Sequence, residues 1–131
     1  MKIIKNGSIP PSDGPVEWYT GAVRINSLCN RKDYDHTAGE YITYEPGARS
    51  AWHSHPQGQT LIIIAGRGWV QRWNSPIEEI EAGDVVKFAP GEKHWHGAAP
   101  DILLAHIAIQ EEKDGSHVKW MEPVSPEQYK K

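Results

Sequence analysis

The stretch Gly47-Ala-Arg-Ser-Ala-Trp-His53-Ser-His55-Pro-Gln-Gly-Gln59 decides how this chain is read. Side chains alternate along an extended strand, so His53 and His55 send their imidazoles to one face and Ser54 to the other. Pro56 and Gly58 then break the strand, and a turn into a new strand starting at Gln59 brings its amide back beside the two rings. A second stretch, from Gly83-Asp84 to Pro90-Gly91-Glu-Lys-His94, supplies a fourth donor after another Pro-Gly turn. Neutral imidazole is the commonest transition-metal ligand. His53, His55, Gln59 and His94 are therefore candidate donors to one divalent ion inside a small β-barrel.

The rest of the chain is punctuated as an all-β protein. Twelve Gly and ten Pro are scattered between short apolar runs in 131 residues. No helical apolar period is long enough for a bundle, and no repeat of about 20–50 residues recurs. Strands are expected at 18–25, 41–45, 50–55, 77–81, 85–88, 95–97, 102–110 and 118–121. A hairpin is expected from 59–65 and 69–73 around Gly66-Arg-Gly68, where two glycines offer positive φ. Residues 1–16, with Pro10-Pro11, read as an extended arm, 30–36 as a charged loop, and Ser125-Pro-Glu-Gln as the capped start of a short C-terminal helix. Many short strands joined by turns imply a closed barrel or sandwich. The length suits one domain, 1–131, with residues 40–110 as its metal-binding core.

A net charge of −3 and a pI near 6.1 give no general attraction to nucleic acid or anionic lipid, so neither is an expected partner. No secretory pattern opens the chain, and no apolar run approaches the ~20 residues of a membrane span. The lone Cys29 has no internal partner, which suits a reducing compartment and a cytoplasmic location. Trp18, Trp69 and Trp120 read as core or subunit-contact residues, with a homodimer or higher homo-oligomer expected. Arg67, Arg72 and Trp73 read as surface residues, and Glu78-Glu79-Ile-Glu81 as a solvated strand edge.

Further candidates surround the metal ligands. His96, two residues past His94, shares its inward face. His106 and Gln110 are four apart on one strand and share a face with Leu104 and Ala108, a mostly apolar wall that suits a small organic substrate. Ile42 and Tyr44 alternate on another strand, where they line either the opposite wall or the outer face. Gln110, Ile42 and Tyr44 are the substrate-contact candidates, and Glu40, Ile42 and Tyr44 are the positions that would tune which substrate enters.

These residues also carry a resemblance. Gly47, five residues, His53-x-His55, three residues, Gln59, six residues and Gly66 resemble the first motif of the cupins. Gly83, six residues, then Pro90-Gly91 and His94 resemble the second. The resemblance covers about residues 40–110 and implies a double-stranded β-helix, a jelly-roll barrel, with a divalent metal on His53, His55, Gln59 and His94. Two departures stand out. The usual acidic ligand is Gln59, and Ala89 and Ala98 replace the second motif's Pro and Asn. An amide oxygen leaves the ion's double positive charge almost undiminished, which favours polarising a bound oxygen or stabilising an anion. Three imidazoles and one oxygen suit manganese, iron, nickel, zinc or copper. An octahedral ion would keep vacant positions for substrate.

From about residue 14 to 129 the chain looks like the bacterial cupin-type hydroxynitrile lyases. The phrases Glu45-Pro-Gly-Ala-Arg49, Trp52-His-Ser-His55, Gly58-Gln-Thr-Leu61, Pro90-Gly-Glu-Lys-His-Trp-His-Gly97, His106-Ile-Ala-Ile-Gln-Glu111 and Trp120-Met-Glu carry that likeness. It implies a manganese-dependent cleavage of a cyanohydrin such as mandelonitrile into an aldehyde and hydrogen cyanide, with His96, His106 and Gln110 lining the site. His106 or His96 would then be the general base, since neutral imidazole titrates near working pH. Three other readings stay open: an iron-dependent oxygenase acting on a chelating substrate, a non-catalytic barrel that binds metal and a small ligand, and an isomerisation or ring opening of a sugar derivative, which no specific residue favours.

Overall fold

The computed structural model of the protein describes residues 1–29 and 35–130. Most of the charged loop expected at 30–36 lies outside the described residues. Six strands come first: β1 (Ser12–Asp13), β2 (Tyr19–Thr20), β3 (Val23–Cys29), β4 (Thr37–Tyr44), β5 (Arg49–Ser50) and β6 (His53–Ser54). They are followed by β7 (Gln59–Arg72), β8 (Glu78–Glu81), β9 (Val85–Phe88), β10 (His94–Ala98), β11 (Leu104–Glu111) and β12 (Lys119–Trp120). No helix is assigned among the described residues, and none is long and apolar enough to cross a membrane.

The strands form one curled antiparallel sheet in the order β1-β3-β4-β11-β7-β10-β5-β2, with β8 and β9 added to β7, and β6 lying between β10 and β12. The long strand β7 makes the curl. Its first half pairs with β11 and β9, and its second half with β10 and β8. The expected hairpin at 59–73 is therefore a single bent strand. Its glycines serve close approach instead of a reversal. Gly66 adopts φ +76°, and a Cβ there would lie 1.8 Å from the carbonyl oxygen of Leu103. A Cβ on Gly68 would lie 2.3 Å from the carbonyl oxygen of Gly97. A register shift beside His106 adds a bulge at the same bend, as a strand passing between two sheet faces requires.

Inward alternation on β4, β7 and β11 builds the main core from Ile42, Tyr44, Leu61, Ile63, Leu104 and Ala108. A second apolar cluster lies outside the barrel, where Trp52, Trp69 and Trp95 are covered by Met121, Val124 and Tyr129 of the C-terminal segment. Each such large side chain contributes about 1.5–3 kcal/mol on burial. Arg49 fastens this segment: its guanidinium donates to the carbonyl of Val124 at 3.1 Å and lies 4.4 Å from the Tyr129 ring centre.

The short C-terminal helix expected after Ser125 is not present. Ser125 and Gln128 do exchange capping bonds, and Tyr129 N–H donates to the Ser125 carbonyl. That is one turn. Tyr129 is then held by its hydroxyl on the Ala98 carbonyl and by its ring against Trp69, so tertiary contacts fix the backbone where a second turn would begin.

Candidate metal centre

Strands β6 and β10 pair so that His53 lies directly opposite His94, with ring centres 4.3 Å apart. His96 follows on the same inward face of β10, and one nitrogen from each of His53, His94 and His96 lies within 4.8 Å of the others. His55 continues from β6 with its ring centre 5.0 Å from His53 and 5.7 Å from His94. Phe88 stacks on His94 at 3.5 Å and fixes the plane of that ring. All four imidazoles are buried, as are Gln59, His106 and Gln110.

Second contacts decide which nitrogen each ring presents. Nδ1 of His53 lies 2.9 Å from the Ala51 carbonyl, Nδ1 of His55 2.6 Å from the His117 carbonyl, and Nδ1 of His94 2.7 Å from the Glu92 carbonyl. A carbonyl only accepts, so each Nδ1 carries the proton and each Nε2 keeps a lone pair. Burial, with smaller contributions from neighbouring imidazoles, holds the pKa of His53 well below 6.5. Burial likewise lowers His55 to about 4 and His94 to about 3. All three are neutral donors at physiological pH.

Gln59 gives the sharpest test of whether a cation fits. Its Oε1 lies 3.2 Å from Nε2 of His94, while its Nε2 donates to Oε1 of Gln110 at 3.1 Å. With Nδ1 protonated, His94 offers only a lone pair to an oxygen that also offers only lone pairs. The other neutral tautomer would set a bare Nδ1 against the Glu92 carbonyl, and the charged ring is opposed by burial. A divalent ion held by His94 and Gln59 would satisfy both atoms. Nε2 of His55 is also buried with no hydrogen-bond partner among the described residues. The residues fit a divalent metal.

His96 is held differently. Its Nδ1 lies 3.0 Å from the Tyr44 hydroxyl, which in turn lies 3.2 Å from Nε2 of His106. Nε2 of His96 is buried and without a hydrogen-bond partner among the described residues. Burial, reinforced by the neighbouring imidazoles, keeps His96 well below 6.5, and burial lowers His106 to about 3. Tyr44 is thus wholly enclosed between two histidines.

A cavity of about 30 Å³ adjoins these groups, with Ile42, Glu40, Gln110, His117, Val118 and Trp120 in its wall. Of the substrate-contact candidates it brings together Ile42 and Gln110, while Tyr44 and His106 stand behind His96. Across Gln59 and Gln110 lies a larger groove of about 550 Å³, bounded also by Phe88, Pro90 and Ile109. Trp120, 4.8 Å from the His53 ring, and the His117 carbonyl were not read from the sequence as parts of the site. Only the strand expected at 118–121 hinted that this segment returns to the barrel.

Comparisons with known proteins agree with this geometry. A model of the cupin domain matches residues 40–102. The chain is 55% identical, over the full length of both proteins, to the (R)-mandelonitrile lyase of Granulicella tundricola. The crystal structure of a cupin-like protein from Thermotoga maritima superposes with a TM-score of 0.86 at 37% identity, covering 98% of this chain and 95% of that one. A predicted oxalate decarboxylase from Thermotoga maritima shares the fold with a TM-score of 0.72 at 18% identity, covering 92% of this chain and 100% of that one. With its paired glycine turns, its inward histidines and its curled sheet all accounted for, the chain belongs to the cupin family.

Proposed function

We propose that this chain is a metal-dependent hydroxynitrile lyase that splits a cyanohydrin such as mandelonitrile into its aldehyde and hydrogen cyanide. The observation that carries this reading is 55% identity along the entire chain to a mandelonitrile lyase. The cluster of buried neutral imidazoles supports it. His53, His55, Gln59 and His94 would hold the ion, which we take to be manganese from the resemblance to the cupin-type hydroxynitrile lyases; an octahedral ion would keep positions for substrate beside four protein donors. Bound there, the ion supplies fixed positive charge against an oxygen or a cyanide on which negative charge develops.

The protein's own part is proton handling and enclosure. His96 presents a buried Nε2 lone pair when its Nδ1–H donates to Tyr44 and the Tyr44 hydroxyl donates to His106. We assign His96 as the general base and His106 as the residue that holds Tyr44 in the required sense. The substrate hydroxyl proton passes to Nε2 of His96, and the O–H electron pair becomes the second carbon–oxygen bond. The carbon–carbon pair departs with cyanide, and His96 returns the proton to give hydrogen cyanide. Ile42 and Gln110 provide the wall that faces the substrate.

Appearance of benzaldehyde from mandelonitrile, with metal-loaded protein, tests the reading. No cleavage of any aromatic or aliphatic cyanohydrin at full metal occupancy would sink it. We also infer a homo-oligomer. Ile64, Val85 and Ile109 are exposed on the neighbouring strands β7, β9 and β11, an apolar face suited to a second copy.

A further inference from the structure

Gln59 departs from a carboxylate ligand, and an amide brings a difficulty that a carboxylate lacks. Only one of its two ends can bind a cation. In the metal-free protein the wrong end is the more comfortable one. Were the Gln59 amide reversed, its N–H would donate to the Nε2 lone pair of His94, which now faces an oxygen at 3.2 Å. Gln110 would have to reverse as well, since it accepts from Gln59 at 3.1 Å.

What opposes that double reversal is Glu40. It sits on β4 with Ile42 and Tyr44, two residues along from Ala38, the partner of Gln110 across the ladder. Gln110 Nε2 donates to Oε1 of Glu40 at 3.4 Å. Half-buried, Glu40 lines the same small cavity as Gln59 and Gln110, and after burial its carboxylate adds to the raised pKa of the Tyr19 hydroxyl. A carboxylate only accepts. It therefore requires the N–H end of Gln110, which turns the Gln110 oxygen to Gln59, which turns the Gln59 oxygen to His94 and the ion. Reversal would set an amide oxygen against the carboxylate.

We propose that Glu40 is a positioning residue: through Gln110 it fixes the end of the Gln59 amide that meets the metal. This rests on the metal reading above and does not depend on which substrate is cleaved.

The experiment is a double-mutant cycle on metal-stripped full-length protein, titrated with Mn²⁺ by calorimetry. Glu40→Gln, which keeps the shape and loses the obligatory acceptor, should weaken Mn²⁺ binding by about tenfold or more, the usual effect of removing an outer partner of a ligand. In a Gln59→Glu background the ligand has two equivalent oxygens, so the same Glu40→Gln change should not weaken binding. Equal affinity of Glu40→Gln and the unsubstituted protein overturns the proposal. So does an equal loss in both backgrounds, which would mark Glu40 as structural. Failure to cleave cyanohydrins alongside the expected cycle would overturn the lyase reading alone.

Discussion

Gln59 Oε1 and His94 Nε2 stand 3.2 Å apart as two acceptors. Buried polar atoms are nearly always satisfied, and an unmet one costs about 1–3 kcal/mol. The pair is tolerable because a cation can join it. The same cation would also engage Nε2 of His55, which the folded chain leaves without a hydrogen-bond partner among the described residues.

Two histidines that line the same small cavity should behave oppositely when removed. His55 has its Nδ1 fixed by a backbone carbonyl, as His53 and His94 do, whereas His96 is held by a tyrosine hydroxyl. His55→Ala should lose most of its bound metal. His96→Ala should retain metal and lose turnover by roughly 10²–10⁴, the usual worth of a general base. Metal content by mass spectrometry and initial rates of cleavage decide it, and loss of metal from His96→Ala would move that residue into the ligand set.

Acid should destabilise the metal-free protein well above the carboxylate range. Burial holds His53 and His96 well below 6.5, His55 at about 4, and His94 and His106 at about 3. Above pH 6.5 both folded and unfolded chains carry these rings neutral, and stability is full. As pH falls below 6.5 the unfolded chain takes up protons that the folded chain refuses. Stability is then lost until the folded values near 3–4 are passed. The slope reaches about 1.4 kcal/mol per pH unit for each histidine. Urea midpoints measured at pH 7 and pH 5 check this, and equal midpoints would contradict it.

Gly66 and Gly47 separate conformational strain from collision. Both have positive φ, +76° and +83°, but a Cβ on Gly47 meets nothing within 4 Å while one on Gly66 strikes the Leu103 carbonyl. Gly47→Ala should cost about 1–2 kcal/mol for the left-handed backbone alone. Gly66→Ala should cost clearly more, since the bend of β7 must also open. Chemical denaturation of the two variants measures the difference.

The apolar face of β7, β9 and β11 gives a test of assembly. Ile109→Lys places a charge among Ile64, Val85 and the half-buried Ile62 and Ile107. Light scattering should then report a smaller species than the unsubstituted protein forms. Cleavage per chain should be retained, because Ile109 points away from the histidines. An unchanged mass would exclude this face.

Much of the site was legible because it depends on short-range rules. His53-x-His55 on a strand and the Pro-Gly turn before His94 determine facing and arrival with little help from the rest of the chain. The fold class followed from the same punctuation. Gly66 and Gly68 misled, because a glycine needed for backbone contact with Leu103 or Gly97 looks the same in sequence as one needed for a turn. Ser125 and Gln128 misled for a related reason: their capping bonds exist, but Tyr129 is committed to Trp69 and Ala98. Tyr44 could be placed only on one of two faces until its neighbours were known. Its position between His96 and His106 joins residues 52 and 62 positions away from it, a separation that no local pattern reports.

The carbonyl of His117 holds Nδ1 of His55, and the same segment, with Val118 and Trp120, walls a space of about 30 Å³. That space is narrow, so an aromatic cyanohydrin would need its wall to move. If a guest enters past this segment, the displaced backbone also releases the imidazole that helps grip the ion. Admission and retention of the ion would be antagonists in this barrel, and faster opening of the segment would be matched by faster leakage of metal.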